Sequence, residues 1–238
     1  DKGRKEKQEL TSRRAKVLRP LRSSFERYGE VFVSLGVSFV PNFVSLYDEG
    51  VGDEGLYSEL TPPKSSGERW IGVAPFAKHK GKIYPLDRME KVVSKLSEES
   101  RVKIFLFGSG DREREILSLW RERYPGVISL ADKRYGFAVE LSLMSRLDVM
   151  ISMDSANMHL APLVEVPVVS VWGATHPYCG FLGWRQSDSG VVELPLDCRP
   201  CSVFGNKPCY RKDYACLEIA PETIVDRVKS LETLIKEK

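Results

Sequence analysis

Between residue 69 and the end of the chain, short apolar segments alternate regularly with longer segments of amphipathic helical spacing. The predicted strands are residues 71–76, 102–107, 127–130, 147–152 and 167–172, and the predicted helices are residues 85–96, 111–124, 136–145 and 155–163, with a last helix beginning at Pro221. Apolar strands separated by helices are typical of a parallel sheet covered on both faces. The pattern predicts an α/β fold with a doubly wound parallel sheet, in which ligands bind beyond the carboxyl ends of the strands.

The composition bounds the class of protein. The chain has 238 residues, of which 42% are hydrophobic, and this is enough to form a substantial core. Its net charge of +3 is too small to indicate nucleic-acid binding. No run reaches the roughly 20 apolar residues of a transmembrane helix, and no signal peptide is recognisable. Because the first residue is Asp1 rather than Met, we expect an excised segment of a longer protein.

The first 67 residues differ in character from the rest. Residues 2–27 carry ten basic and three acidic side chains. Such a run is usually the solvated face of a helix. The alternative is attraction to anionic lipid head groups or to a phosphorylated glycolipid, at about 1 kcal/mol per basic residue. We expect one basic helix interrupted near Pro20, then an apolar segment ending near residue 47, then a Gly-, Ser- and Pro-rich linker over residues 48–67.

The turn after the fourth predicted strand is the clearest candidate for a binding site. Asp154 is expected to cap a helix whose first residues are Ser155, Ala156 and Asn157. Their backbone N–H groups have no intrahelical partners and form the positive end of the helix dipole. After a parallel strand this geometry favours an anion, usually a phosphate. In the alternative, Asp154 only caps the helix and His159 only packs on the sheet.

Other side chains follow neighbouring strands at the same edge. Lys82 could neutralise a diphosphate as a point charge, although a solvated lysine is the simpler interpretation of this residue alone. Gly108 lies in the turn after the second strand, and Glu113 or Asp111 could accept hydrogen bonds from a ribose hydroxyl. A solvated acid in the first turn of a helix explains either carboxylate equally well.

Four cysteines lie within nineteen residues and raise a separate question. Cys198, Cys201, Cys209 and Cys216 include one close Cys-x-x-Cys pair, as in many tetrahedral zinc sites. The second pair is more widely spaced than a usual zinc knuckle, so free or packed thiols are the alternative. We therefore treat these four residues as candidate ligands of a structural zinc ion, and Cys179 as a packed thiol.

Several motifs resemble those of the family 9 glycosyltransferases, the lipopolysaccharide heptosyltransferases and their relatives. The resemblance rests on Asp-Ser-Ala-Asn-Met-His-Leu-Ala from Asp154, the Val-Pro that follows it, and Val-Trp-Gly-Ala-Thr-His-Pro from Val171. It extends to residues 73–75, to Lys-Ile-Tyr-Pro from Lys82 where the family has Lys-x-Trp-Pro, to residues 106–110, and to residues 1–7. One position differs from the family's pattern: the Gly that follows Asp-Ser/Thr in the family is Ala156 in this chain. We expect Ala156 to be an ordinary helical residue, where Ala is harmless.

The resemblance implies a function and an architecture. The chain would be the C-terminal half of a GT-B type glycosyltransferase, with residues 1–67 a remnant of the first domain plus linker and residues 68–238 a Rossmann-like nucleotide-sugar-binding domain. It would bind a nucleotide-diphosphate sugar, with ADP-linked heptose the expected donor, for transfer to a lipopolysaccharide core or related glycolipid. The residues implied to hold the donor phosphates are Lys82, Asp154, Ser155, Ala156, His159 and Thr175, and those implied to hold the ribose are Gly108 and Glu113.

The resemblance also implies what this chain lacks. The family's general base lies in its first domain, so this chain alone is expected to bind donor without transferring the sugar. No cofactor or metal is expected to be required, and the expected location is cytoplasmic, with peripheral contact at the inner membrane face through the basic segment. The alternative is a nucleotide- or phosphate-binding module without transfer activity. A dinucleotide oxidoreductase is disfavoured because no Gly-x-Gly-x-x-Gly follows the first predicted strand.

Overall fold

The computed structural model describes residues 3–236, with side chains described as far as Thr233. Its centre is a six-stranded, entirely parallel sheet with strand order β3-β2-β1-β4-β5-β6. The strands are β1 Arg69–Ala74, β2 Val102–Leu106, β3 Val127–Ser129, β4 Val149–Met153, β5 Val168–Trp172 and β6 Val191–Glu193. The α-helices are α1 Arg4–Leu10, α2 Ser24–Ser34, α3 Leu86–Ser97, α4 Asp111–Arg123, α5 Phe137–Met144, α6 Ala156–Leu160 and α7 Pro221–Lys236. The predicted doubly wound α/β fold is confirmed, and β6 is an additional strand.

Helices cover both faces of the sheet, which explains why its strands are continuously apolar. On one face, Met89, Val92 and Leu96 of α3 pack in one cluster with Val228 of α7 and with strand residues such as Ile71. The other face carries Trp70, Phe105, Trp172 and residues of α5 and α6. The strand order reverses between β1 and β4, so the chain leaves these two neighbouring strands in different directions. A crevice at such a reversal is where α/β sheets bind ligands.

The amino-terminal segment differs from the single interrupted helix that we expected. α1 ends at Leu10, well before Pro20, and an extended stretch leads to α2. Tertiary contacts explain the difference. Leu10 and Leu21 are buried in one cluster with Cys179, and the Leu21 N–H donates to the Tyr178 carbonyl at 2.9 Å. Burial of two leucines against the sheet domain therefore outweighs the local preference for helix.

α2 begins where the sequence carries a capping box. Ser23 Oγ accepts the Glu26 N–H, and the Glu26 carboxylate accepts the Ser23 N–H, so two unpaired donors of the first turn are satisfied. No residue of α2 is buried. Residues 30–44 are exposed throughout, and ring contact between Phe32 and Phe39 holds this apolar segment against itself. Its large hydrophobic residues are Val31, Phe32, Val33, Leu35, Val37, Phe39, Val40, Phe43 and Val44.

Residues 48–67, predicted as an interdomain linker, lie against the sheet domain. Tyr57 is 1% exposed and contacts Trp70, with ring centroids 6.1 Å apart. The Gly52 N–H donates to Ser145 Oγ at 2.9 Å, and Ser142 Oγ donates to the Asp53 carbonyl at 2.5 Å. The division into a remnant over residues 1–67 and a domain over residues 68–238 stays a prediction. Among the helices of residues 3–236, none combines the length and the hydropathy that a membrane span requires.

Candidate functional site

Three of the predicted phosphate-binding residues meet at the carboxyl edge of the sheet. Lys82 closes a short 3-10 turn after β1, Asp154 follows β4 directly, and Thr175 lies in the loop after β5. Lys82 Nζ lies 2.9 Å from Asp154 Oδ2, and Thr175 Oγ1 donates to the same oxygen at 2.7 Å. The Lys82 and Asp154 side chains are only 15% and 5% exposed, so water screens their attraction weakly. We call these three residues the Lys82 trio.

Asp154 does not cap the helix as predicted. Ser155 is the residue before α6, with φ −146°, and α6 begins at Ala156 rather than at Ser155. The Asp154 carboxylate instead accepts charge-assisted hydrogen bonds from the Lys82 ammonium and the Thr175 hydroxyl. Ala156 is helical and is not among the residues with positive φ. The expectation that Ala156 is an ordinary helical residue is confirmed.

His159 lies beside the trio, on the last turn of the short helix α6. Its side chain is half-buried, and burial lowers the pKa of its imidazole below 6.5. The Asp154 charge opposes that shift and the Lys82 charge adds to it, so the imidazole is within electrostatic reach of both residues. His159 is therefore a neutral, polar side chain next to an ion pair at neutral pH.

The turn after β2 separates the two carboxylates that sequence could not distinguish. Glu113 bends back over the turn, and its Oε2 accepts the Ser109 N–H at 2.8 Å. Asp111 points outward and pairs with Arg114 in the first turn of α4. A Cβ on Gly108 would come within 2.8 Å of Leu117 Cδ1 and 3.1 Å of Glu113 Oε2, so a larger residue here would require these two side chains to move. The ribose-binding roles of Gly108 and Glu113 stay predictions.

The loop after β5 is held by a network that the sequence did not reveal. Arg199, 1% exposed, donates to the carbonyl oxygens of Gly173 and Thr175 at 2.6 and 2.9 Å. His176 Nδ1 accepts the Tyr178 N–H at 3.0 Å, and its Nε2 lies 3.4 Å from Glu193 Oε1. Burial lowers the pKa of His176, against the opposing charge of Glu193. The neutral ring therefore accepts at Nδ1 and presents its proton to Glu193.

The zinc interpretation of the four cysteines is not supported. In the part of the chain that the structure describes, no three His, Cys, Asp or Glu side chains are grouped to hold a metal ion. Cys201 Sγ points to the Cys198 carbonyl at 3.6 Å, and Cys209 Sγ points to Asp213 Oδ1 at 3.8 Å. All five cysteines are free thiols, and burial raises the pKa of Cys179 and Cys216 to about 11. The thiols of Cys198, Cys201 and Cys209 nevertheless lie within electrostatic reach of Cys216.

That cysteine-rich segment instead lies against the loop that carries Lys82. A Cβ on Gly205 would come within 2.7 Å of Lys82 Cγ, so the backbone there touches the lysine stem directly. Lys80 Nζ sits 5.2 Å from the ring centre of Tyr214. The Ala174 N–H donates to the Gly81 carbonyl at 2.8 Å and joins the loops after β1 and β5. Gly205 was visible in the sequence as a turn residue, but nothing indicated which side chain it would face.

A cavity of about 800 Å³ lies beside β6, next to the trio but not on it. Its lining includes Lys16, His176, Glu193, Arg199 and Arg227. None of the three residues of the trio lines this cavity, so the trio and the cavity occupy different places. Arg199 is in contact with both, through its bond to the Thr175 carbonyl.

Comparisons with known proteins identify relatives of this chain. The model of glycosyltransferase family 9 (heptosyltransferase) matches residues 53–209. Two curated proteins of Campylobacter jejuni, from serotypes O:6 and O:2, are both named lipooligosaccharide heptosyltransferase 2. The O:6 protein is 25% identical over 172 residues, which is 71% of this chain and 53% of that protein. The O:2 protein is 26% identical over 170 residues, which is 70% of this chain and 52% of that protein. The chain thus spans about half the length of the curated relatives it matches.

Solved structures share the fold. A family 9 glycosyltransferase from Veillonella parvula has a TM-score of 0.66 at 19% identity, over 89% of this chain and 60% of that one. The E. coli heptosyltransferase WaaC with ADP has a TM-score of 0.62 at 15% identity, over 92% of this chain and 60% of that one. E. coli ADP-heptose lps heptosyltransferase II has a TM-score of 0.58 at 20% identity, over 77% and 53%.

Proposed function

This chain belongs to glycosyltransferase family 9 (heptosyltransferase), and on that premise we propose that it is the donor-binding part of a heptosyltransferase. The donor is a nucleotide-diphosphate sugar, an ADP-linked heptose, and the acceptor is a lipopolysaccharide core or related glycolipid. The main observation in favour of this proposal is the Lys82 trio, which places a cation at the crevice between the ends of β1 and β4. The names of the C. jejuni relatives and the ADP in the WaaC structure support the choice of sugar and nucleotide.

Lys82 is the group that binds the diphosphate. When the bond between the sugar's anomeric carbon and the phosphate oxygen breaks, its electron pair stays on the diphosphate, whose negative charge grows. A fixed ammonium close to that oxygen stabilises the growing charge more than it stabilises the ground state. Asp154 and Thr175 hold the ammonium in place before the donor arrives, so little reorganisation is required. The backbone N–H groups at Ser155 and Ala156 and the neutral imidazole of His159 complete the phosphate site.

The acceptor hydroxyl forms the new bond to the sugar and releases a proton. We place the base that takes this proton outside the present chain, in the further part that its longer relatives possess. The chain alone therefore binds the donor and does not transfer the sugar. The nucleoside lies over the turn after β2, where Gly108 allows close approach and the Glu113 carboxylate accepts bonds from ribose hydroxyls.

The acceptor class suggests contact with a membrane surface from the cytoplasmic side. The exposed apolar segment over residues 30–44, beside the basic residues of α1 and the extended stretch, is the surface we assign to it. Part of that positive charge is used within the protein, as Arg19 pairs with Glu9 and Arg22 with Glu30. Sedimentation with anionic and with neutral vesicles tests this assignment. Equal recovery with both vesicles, or unchanged binding after Val33→Ser and Leu35→Ser, contradicts it.

Calorimetric titration with ADP, UDP, GDP and inorganic pyrophosphate tests the donor site. We expect ADP to bind most tightly, because the relatives point to an adenine nucleotide. Glu113→Ala should weaken ADP binding by about 1–2 kcal/mol, as for lost hydrogen bonds to a charged group, and leave pyrophosphate binding unchanged. Asp111→Ala is the matched control, since it removes a carboxylate two residues away that faces solvent. Failure of all four ligands to bind contradicts the proposed function.

A further inference from the structure

Arg199 is among the largest side chains that the structure buries completely. Its guanidinium makes four hydrogen bonds to fixed acceptors. Nε donates to the Gly173 carbonyl at 2.6 Å and Nη1 to the Leu194 carbonyl at 2.7 Å. Nη2 donates to the Thr175 carbonyl at 2.9 Å and to Glu193 Oε2 at 2.8 Å. A buried cation with this many partners is fixed in position and orientation.

The acceptors lie on two neighbouring strand ends. Gly173 and Thr175 follow β5, while Glu193 and Leu194 are at the end of β6 and just after it. The guanidinium therefore ties the loop after β5 to the edge strand of the sheet. β6 has only three residues, so the ladder to β5 gives this corner little support of its own.

The residues that Arg199 holds are connected to the trio on both sides. Thr175, whose carbonyl it binds, donates its hydroxyl to Asp154 Oδ2. Ala174, between the two bound carbonyls, donates its N–H to the Gly81 carbonyl next to Lys82. The turn over residues 173–175 thus holds Asp154 through the Thr175 side chain. It holds the loop that carries Lys82 through a backbone hydrogen bond.

We propose that Arg199 is a positioning residue for donor binding, which acts on the phosphate through Thr175, Asp154 and Lys82 without touching it. The proposal rests on the proposed function for its ligand, but its geometric part concerns only the ion pair. Lysine cannot replace arginine here, because a single ammonium on a flexible stem cannot reach four acceptors spread over two strand ends.

A general stabilising role is the competing explanation, and the two explanations differ in what they predict for Lys82. If Arg199 holds the trio, Arg199→Lys loosens the ion pair and exposes the Lys82 amine. If it only stabilises the domain, Lys82 keeps its pairing in every molecule that remains folded. The rate of acylation at Lys82 relative to Lys80, read by mass spectrometry on the folded protein, separates them without any nucleotide. Lys80 is exposed on the same turn and serves as the internal reference.

We expect Arg199→Lys to raise the Lys82 to Lys80 labelling ratio and to raise the Kd for ADP by about tenfold, the scale of a misplaced binding group. Arg69→Lys is the matched control. Arg69 is a partly buried arginine that pairs with Glu99 and Glu232 at the amino end of β1, far from the trio's edge of the sheet. It should leave both the ratio and the ADP affinity unchanged.

Thr175→Val gives a second test of the same path. Arg199 and Thr175 act through the same carboxylate, Asp154. The Kd for ADP of the double variant should therefore equal that of the single variant with the higher Kd. A Kd raised by the product of the two single effects overturns the proposal. An unchanged labelling ratio in Arg199→Lys also overturns it. If Arg199→Lys does not fold, Glu193→Gln weakens the same anchor and must raise the ratio in the same direction. A raised ratio in a protein that binds no ADP would sustain the positioning role and refute the proposed function.

Discussion

Replacement of Lys82 by alanine affects two quantities that the structure allows us to separate. The first is stability. Asp154 Oδ2 now bonds Lys82 at 2.9 Å and Thr175 at 2.7 Å, so the substitution leaves a buried carboxylate with the Thr175 hydroxyl as its remaining partner. Breaking a buried ion pair in this way costs about 3 kcal/mol in free energy of unfolding. For a domain of this size that corresponds to a melting temperature lower by roughly 6–12 °C.

The second quantity is nucleotide affinity. Loss of a charge-assisted bond to phosphate is worth about 1–3 kcal/mol, which raises the Kd for ADP about 5- to 150-fold. Calorimetry well below the melting temperature of the variant measures this effect alone. Lys80→Ala is the matched control. It removes the same charge two residues away, from a side chain that is exposed and lies over the ring of Tyr214.

A double substitution keeps the two effects apart. Lys82→Ala with Asp154→Asn removes both charges of the pair, and the amide oxygen still accepts the Thr175 hydroxyl. We expect part of the lost melting temperature to return, since no unpaired charge is buried, while ADP affinity stays low. Equal Kd values for ADP in Lys82→Ala and Lys80→Ala would refute the reasoning. So would recovery of ADP affinity together with stability in the double variant, because binding would then follow folding alone.

Two further substitutions test other parts of the site. Gly205→Ala should weaken ADP binding without changing any charge, because the new methyl group would meet the Lys82 stem at 2.7 Å. Gly36→Ala is the control, because Gly36 has a similar positive φ and a methyl group there would contact no atom within 4 Å. If Gly36→Ala lowers ADP affinity as much as Gly205→Ala does, backbone strain rather than contact with Lys82 is responsible. Burial lowers the pKa of His176 in the folded protein, whereas the unfolded chain takes up a proton near pH 6.5. The free energy of unfolding therefore falls as the pH drops through 6.5. His176→Asn, which keeps an acceptor for the Tyr178 N–H, should flatten that fall in chemical denaturation series, and a slope equal to that of the unsubstituted protein would contradict the assignment.

The sequence was sufficient for most of the sheet and insufficient for its edge. β1 to β5 are apolar runs buried on both faces, and such runs carry a strong local signal. β6 is three residues long, and its pairing with β5 rather than its composition makes it a strand. The extended stretch before α2 escaped prediction for a similar reason, since Leu21 is held by contacts with residues near Tyr178.

The candidate site divides in the same way. Lys82, Asp154 and Thr175 could be brought together from sequence, because loops after neighbouring parallel strands converge at one edge. The role of Asp154 as a helix cap was wrong, because local sequence cannot show that a lysine and a threonine from other loops compete for its carboxylate. Arg199 was missed because it stands between two cysteines and beside a proline, and the interpretation of this segment turned on whether the thiols bind zinc or are packed. The burial of Arg199 is stabilised by three carbonyl groups and the Glu193 carboxylate around it, a set that the local sequence pattern does not indicate.

The extended stretch before α2 also bears on how the protein folds. Lys16 Nζ donates to the Arg199 carbonyl at 2.7 Å across 183 residues, and the Ser24 N–H donates to the Gly180 carbonyl at 3.0 Å. Contacts that close such long loops form only after the partner surface exists, so we expect this stretch to add to the fold after the transition state. Substitutions at Lys16 or Leu21 should therefore accelerate unfolding and leave the folding rate nearly unchanged. The amino-terminal stretch would then be the first part of the described chain to detach, and the first to be cut by a protease.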